Sequence, residues 1–449
     1  MSMNQEMEQT FQMFMGMVNE LGTLAKPVDL PDSERIARAK KIFMEKTTWD
    51  IAAELEGCIH CGMCAEACHF RVSTGDPKYT PARKFELMRT VYRREMSPMR
   101  WVNRLVMPDI TMKDLEESAE LVYDACTLCA RCSMICPMGI HIAELVEFHR
   151  EALAAAGMVP DAMLALDQEQ AETGHIFNAD REVLKFKVEE LSEQYNVPIP
   201  MDKEGQVDVM ILTSGLDLHL FNDAIVGTAK ICNHAKLNWS YFTDSYEGAN
   251  FGFMSGDAGN HKLEVSRVYE AAVKHGAKYV VAPECGHAYP ALRFYAAEAL
   301  GKPLPFDVLA PSEFIAMLYK EGKLKLKKPA DRTVVTFHDP CKVGRHGGVF
   351  EGPREVLKAM GLEVRETDSN RMVNICCGGG AAVFLLPNAN ELRQKTFELK
   401  YEEVKKTKAE ALVVSCGSCR LNFERGKMNA GEGMPVDSFA QIVGDNLVS

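Results

Sequence analysis

"TVVTFHDPC", residues 333–341, is a short β-branched and aromatic run that ends on a thiol. A run of this make-up reads as a buried strand. Three others share its character: "VDVMILTSG" (207–215), "AKYVVAPECG" (277–286) and "ALVVSCGSC" (411–419). Helical patterns such as "LEVSRVYEAAVKHG" and "ELRQKTFELKYEEVKKT" lie among them. Alternation of strand and helix implies α/β units around a largely parallel sheet. The first run of each pair stands 126 residues from its counterpart, and Cys285 and Cys416 are 131 apart. This spacing predicts two related α/β lobes.

The cysteines divide the chain further. Eight of the fifteen fall between 58 and 136, none follows until 232, and the rest extend to 419. The fold class expected is therefore α+β multidomain, with a mainly helical ferredoxin-like two-cluster domain ahead of the duplicated α/β part. The expected division is 1–45, an N-terminal helical docking segment; 46–160, the two-cluster domain; 161–205, a helical connector; 206–330, a first lobe; and 331–449, a second lobe.

At 449 residues the chain can bury several cores, and its 47% hydrophobic, 25% charged composition is globular. No apolar run approaches the length of a membrane span. The N-terminus offers no signal-peptide pattern, so the expectation is a cytoplasmic protein whose cysteines bind metal rather than form a disulfide framework. A formal net charge of −12 disfavours nucleic acid as a partner.

"CIHCGMCAEAC" supplies Cys58, Cys61, Cys64 and Cys68, and "CTLCARCSMICP" supplies Cys126, Cys129, Cys132 and Cys136. Each run wraps three closely spaced thiolates around one cubane and sends the fourth to the other. The assignment is Cys58, Cys61, Cys64 and Cys136 to one [4Fe-4S] cluster, and Cys126, Cys129, Cys132 and Cys68 to the second. Zinc sites, which use two separated pairs, fit this spacing poorly. Pro137 follows the second run, whereas His69 stands at the matching place in the first.

Between the runs, residues 83–104 carry seven basic and two acidic residues. They form either a docking face for an acidic partner or anionic lipid, with Trp101 at its edge, or a solvated helix face. Met3, Met7, Phe11, Phe14, Val18 and Leu21 make an apolar stripe at helical spacing, which serves a partner or packs on the chain itself.

Five thiols remain together in the last third: Cys341, the adjacent pair Cys376 and Cys377, and Cys416 with Cys419. That is one more than a tetrahedral zinc or a cubane needs. Adjacent side chains diverge, so the pair suits neighbouring metal ions better than one. Gly378, Gly379 and Gly380 give a permissive backbone with amide donors beside them.

The motif set "HDPCKVGRHGG…ICCGGG…SCGSC", with the two cubane runs ahead of it, resembles the heterodisulfide reductase catalytic subunit family, whose cysteine-rich CCG domain is here fused to a ferredoxin-like part. The resemblance covers roughly residues 50–440. The DsrK-like branch, from membrane complexes of anaerobic sulfur metabolism, is the most similar in pattern, because the first lobe has lost its own paired-cysteine motif. Its "EGANFGFMSGD" has no cysteine and its "PECGHA" keeps only Cys285.

The resemblance implies two cubane clusters and one noncubane [4Fe-4S] cluster, the latter on Cys341, Cys376, Cys377, Cys416 and Cys419. It implies a disulfide or trisulfide reductase, or the reverse dithiol oxidase, working in one-electron steps. The partners implied are a membrane cytochrome b-type subunit or a flavoprotein or ferredoxin, and a disulfide-bearing small molecule or protein. Location would then be peripheral, on the cytoplasmic face of the membrane. The alternative is an electron relay for a flavin-dependent glycolate or glycerol-3-phosphate type dehydrogenase. No G-x-G-x-x-G follows a strand, so a flavin would belong to a partner.

His287, His338 and His346 are candidate proton donors, each equally readable as a structural histidine. Lys342 and Arg345 either tune the cluster and hold an anionic substrate, or are solvated loop residues. Cys285 is a spare ligand, a mixed-disulfide thiol or a buried apolar residue.

Overall fold

The computed structural model describes residues 3–431 and 433–448, with side chains from residue 9. Up to Tyr195 the regular elements are helical. Beyond it, strands alternate with helices, as the apolar runs predict.

The first lobe has β1 (Val209–Ile211), β2 (Trp239–Ser240), β3 (Tyr279–Val281) and β4 (Asp307–Leu309). The second has β5 (Val334–His338), β6 (Glu363–Val364), β7 (Ala411–Val414) and β8 (Val436–Ser438). The strand orders are β2-β1-β3-β4 and β6-β5-β7-β8, every pair parallel. The two sheets thus have the same topology, each wound outward from its central pair.

In such sheets, ligands collect beyond the carboxyl ends of the strands where the winding reverses. In the second lobe that place lies between β5 and β7. Their register, Val335 opposite Ala411 through His338 opposite Val414, ends both strands level. The chain leaving β5 carries Cys341, and the chain leaving β7 carries Cys416.

The lobes meet across two helices, Asn222–His234 of the first and Phe439–Asp445 of the second. Gly227 and Gly444 let their backbones touch. A Cβ on Gly227 would stand 2.4 Å from Ala440 O, and one on Gly444 2.7 Å from Gly227 Cα. Val226, Ala229, Phe337, Val413, Phe439 and Val443 fill one shared core around this contact.

The described residues of the N-terminal stripe, Phe11, Phe14, Val18 and Leu21, are buried in the core of the helical half. Phe14 meets Phe177 edge-on, with ring centroids 5.1 Å apart. The stripe therefore packs on the chain itself; the side chains of Met3 and Met7 lie outside the described residues.

Residues 83–104 are not one surface. Lys84 and Arg89 are buried, while Trp101, Leu105 and Val106 stand exposed. The helix Arg100–Val106 has no buried residue, so that part is open to either a docking or a solvated face.

Gly227→Val forces a branched side chain into a backbone contact and should cost about 1–3 kcal/mol. Chemical denaturation of the iron-loaded protein measures it. An unchanged midpoint would show that the helices separate without penalty.

Candidate iron-sulfur centres

The two cubane runs fold alike. His60 and Gly62 in the first, and Leu128 and Ala130 in the second, all take left-handed backbone, with φ of 53°, 81°, 52° and 60°. Alternate left-handed residues curl each loop around its thiols before a short helix begins, Met63–Ala67 or Arg131–Ile135.

One small cavity is lined by Cys58, Cys61, Cys64 and Cys136, and another by Cys68, Cys126, Cys129 and Cys132. Each gathers three thiols of one run and the last of the other. Burial, with repulsion from Cys58, Cys136 and Cys61, raises the Cys64 thiol; burial, then Cys129, Cys68 and Cys126, raises Cys132 well above its usual range. Cys61 is exposed, so the first nest reaches the surface.

Cys341, Cys376, Cys377, Cys416 and Cys419 form a third nest in one buried cluster. Cys377 Sγ lies 3.2 Å from Cys419 Sγ. Gly378 N–H and Gly379 N–H point at Cys376 Sγ and Cys377 Sγ, at 3.4 and 3.5 Å. These are the amide donors expected of the glycine run.

The room the glycines make is another matter. At Gly378, φ is +92° and a Cβ would stand 2.9 Å from Thr396; at Gly379 it would stand 2.9 Å from Asn422 Cβ. The glycines admit neighbouring protein as well as bulky sulfur.

The second and third nests adjoin. Cys129 and Cys376 offer sulfurs within 4.8 Å of each other, and His69 offers a nitrogen to the same group. Thr127 Oγ1 is 3.3 Å from Cys376 Sγ. Arg345, read from sequence as a tuning or solvated residue, is buried and staples this junction: it donates to Cys129 O and Met372 O, both at 2.7 Å, and to Asn374 O. Three of its N–H groups are taken up by these carbonyls.

Lys342 is likewise buried, not solvated, with Nζ 3.5 Å from Glu147. His287 reaches across from the first lobe and accepts from Ala381 N–H at 3.3 Å. Burial, then the charges of Lys342 and Arg150, holds it well below the usual histidine range. Burial and Lys342 push His346 down to about 2. Both imidazoles are thus neutral where the chain alone surrounds them. His338 is buried against Phe423, with both ring nitrogens unpartnered and close to Cys377 and Cys419.

Cys285 is half-buried beside this nest. A Cβ on the next residue, Gly286, would stand 3.2 Å from Cys416 Sγ. Burial, with Cys416 next, pushes its thiol up to about 12. Cys232 is fully buried.

The donor set suits anionic iron-sulfur clusters. Lys84, Arg150, Lys342 and Arg345 are buried cations around the nests. Lys84 Nζ donates to Ala125 O and lies 4.0 Å from Cys68 Sγ. Buried cations of this kind call for nearby negative charge. Lys84, Arg150, Thr127 and His69 carried no sequence signal of this role, except that His69 stands where its twin run has Pro137.

Residues 335–424 match the cysteine-rich domain family (CCG), and residues 54–140 match the 4Fe-4S dicluster domain family. The chain is 28% identical over 384 residues to the Hdr-like menaquinol oxidoreductase iron-sulfur subunit 2 of Archaeoglobus fulgidus, spanning 73% of this chain and 67% of that one. It is 26% identical over 402 residues to the HdrD component of the dihydromethanophenazine:CoB--CoM heterodisulfide reductase of Methanosarcina barkeri, spanning 88% and 94%. With the EtfAB:quinone oxidoreductase of Syntrophomonas wolfei it shares 27% identity, over 83% of this chain and 54% of that protein.

If the last cysteine of each run serves the other nest, Cys136→Ser should disturb only the cluster near Cys61, with loss of up to about four irons per chain. Cys132→Ser should disturb the cluster next to Cys376 instead. Iron assay with low-temperature EPR separates them, and disturbance of the same cluster by both variants would refute the crossed assignment.

Proposed function

We propose that this chain, which belongs to the HdrD-like family of heterodisulfide reductase iron-sulfur proteins, passes electrons inward through three clusters and exchanges them with sulfur. Two cubane [4Fe-4S] clusters would be held by Cys58, Cys61, Cys64 and Cys136, and by Cys68, Cys126, Cys129 and Cys132. A noncubane [4Fe-4S] cluster would be held by Cys341, Cys376, Cys377, Cys416 and Cys419. The reaction is R–S–S–R plus two electrons and two protons giving two R–SH, or its reverse.

The observation that supports this reading is the abutment of Cys129 and Cys376, which brings the second nest against the third, while the exposed Cys61 opens the first to the surface. When bound, the clusters supply one-electron transfer and a site able to take sulfur. The chain's own part is to fix their order and to shield them. Arg345 holds Cys129 O and Asn374 O together, so the nests keep their separation. Gly378 N–H and Gly379 N–H, aimed at sulfur, lower the cost of negative charge there. His338, within 4.8 Å of Cys377 and Cys419, and His287, beside Gly380 and Ala381, are the proposed groups that pass protons.

The partner would be a membrane cytochrome b-type subunit, a flavoprotein or a ferredoxin, meeting the surface around Cys61. No described helix is long and apolar enough to cross a membrane, so attachment would run through that partner.

A second reading, the pure electron relay, has its own support: all five thiols of the third nest are buried. The first lobe, which repeats the sheet topology but not the cysteine motif, is proposed as a degenerate copy of the CCG domain under either reading.

Low-temperature EPR of the anaerobically purified protein, oxidised with and without a dithiol, separates the two. The disulfide reading expects about twelve irons per chain and a thiol-dependent signal absent from Cys377→Ser. About eight irons and no such signal would leave the relay.

A further inference from the structure

Against the outer side of the third nest, the helices Asn390–Lys406 and Gly417–Ala430 part to form a half-open recess of about 200 Å³. It is lined by Arg393, Arg425, Asn390, Gln394, Asn422 and Asn429, with Phe397 and Gly426 at its back. Two guanidinium groups and four side-chain amides face one small space, and no carboxylate is among them.

Arg393 is only 3% exposed. It donates to Val383 O, Leu386 O and Asn390 Oδ1, and Arg425 donates to Asn390 Oδ1 at 3.0 Å. Neither arginine has a carboxylate partner among these bonds. Burial, then repulsion from Arg425, pushes Arg393 down to about 9, with Asp124 a smaller opposing charge. Elsewhere the chain does pair its buried arginines with acids where it has no site to serve: Arg354 bonds both oxygens of Asp339, at 2.7 and 2.8 Å, and Arg420 both oxygens of Asp223.

The recess is tied to the thiols by a single side chain. Asn422 lines it and donates to Cys377 O at 2.6 Å. Arg425 lies six residues beyond Cys419 on the same helix, about 9 Å along the axis. Arg425 and Asn429 also line a larger cleft of about 940 Å³, whose walls mix Phe11, Met15 and Phe221 with Lys187, Glu190 and Glu424.

We propose that the Arg393–Arg425 recess is an oxyanion-binding subsite, shaped for a carboxylate, sulfonate or phosphate group. Resting on the disulfide reading above, it receives the acidic end of the sulfur-bearing substrate, with Asn422 between that end and Cys377. A planar guanidinium pair with amide flanks matches the fork geometry of such groups.

The test uses the iron-loaded full chain. Calorimetric titration with inorganic sulfate and phosphate, at fixed ionic strength, is compared in wild type, Arg425→Gln and Arg425→Lys. Arg425 is partly exposed, so its replacement should leave iron content and EPR spectra unchanged. Expected is saturable binding weakened about tenfold or more in Arg425→Gln, the scale of a charge-assisted hydrogen bond, with partial recovery in Arg425→Lys. A second arm compares kcat/KM for a carboxylate-bearing disulfide with that for its neutral amide. The preference for the acid should fall about tenfold in Arg425→Gln, through KM.

Equal anion binding in wild type and Arg425→Gln, or none at millimolar concentration, overturns the subsite. An acid preference unchanged in Arg425→Gln overturns its link to substrate. A wild type that binds sulfate through Arg425 yet reduces neither disulfide upholds the recess and sinks the disulfide reading.

Discussion

Arg150 holds the molecule's parts in register. Its buried guanidinium donates to Val122 O and Cys126 O in the helical half, to Met254 O in the first lobe and to Ala381 O in the second. These carbonyls come from segments far apart in sequence, and one belongs to the middle thiol run. Removing the side chain would leave them buried and unsatisfied at once, each at a cost of about 1–3 kcal/mol. The alignment of the nests therefore depends on one cation that bonds only to carbonyls.

That arrangement also explains the distribution of charge. The chain is acidic overall, yet its interior near the thiols is cationic, with Lys84, Arg150, Lys342 and Arg345 all buried. Cluster-bound thiolates carry the opposing charge on the proposed reading. Buried Asp339, near Cys341, is paired with Arg354, and the first lobe holds further buried acids. Asp217, Glu247 and Glu284 are pushed up to about 7, 8 and 8, each mainly by burial. The two lobes share a topology but differ in electrostatics.

Much of this was legible in the sequence because it is local. The apolar runs marked β1, β3, β5 and β7, and the placement of Cys341 and Cys416 after their strands followed. The twin cubane runs carry their spacing in a dozen residues each. What stayed hidden depends on segments remote in sequence. Thr127 meets Cys376 across 249 positions, and nothing near either residue encodes that contact. Lys84 read as part of a basic surface, because a charge run shows composition but not which member faces inward. Arg345 read as a loop residue for the same reason, since its acceptors are carbonyls, which every residue has.

The backbone contact between Gly227 and Gly444 bears on how anything enters. Many two-lobed proteins admit a ligand by swinging about a hinge, which needs slack side chains between the lobes. Here two helices touch main chain to main chain, and the shared core closes around them. The lobes behave as one rigid block, and access falls to side-chain rotation, a motion of picoseconds to nanoseconds for exposed groups. A domain gate swinging about this contact has no place in such a block.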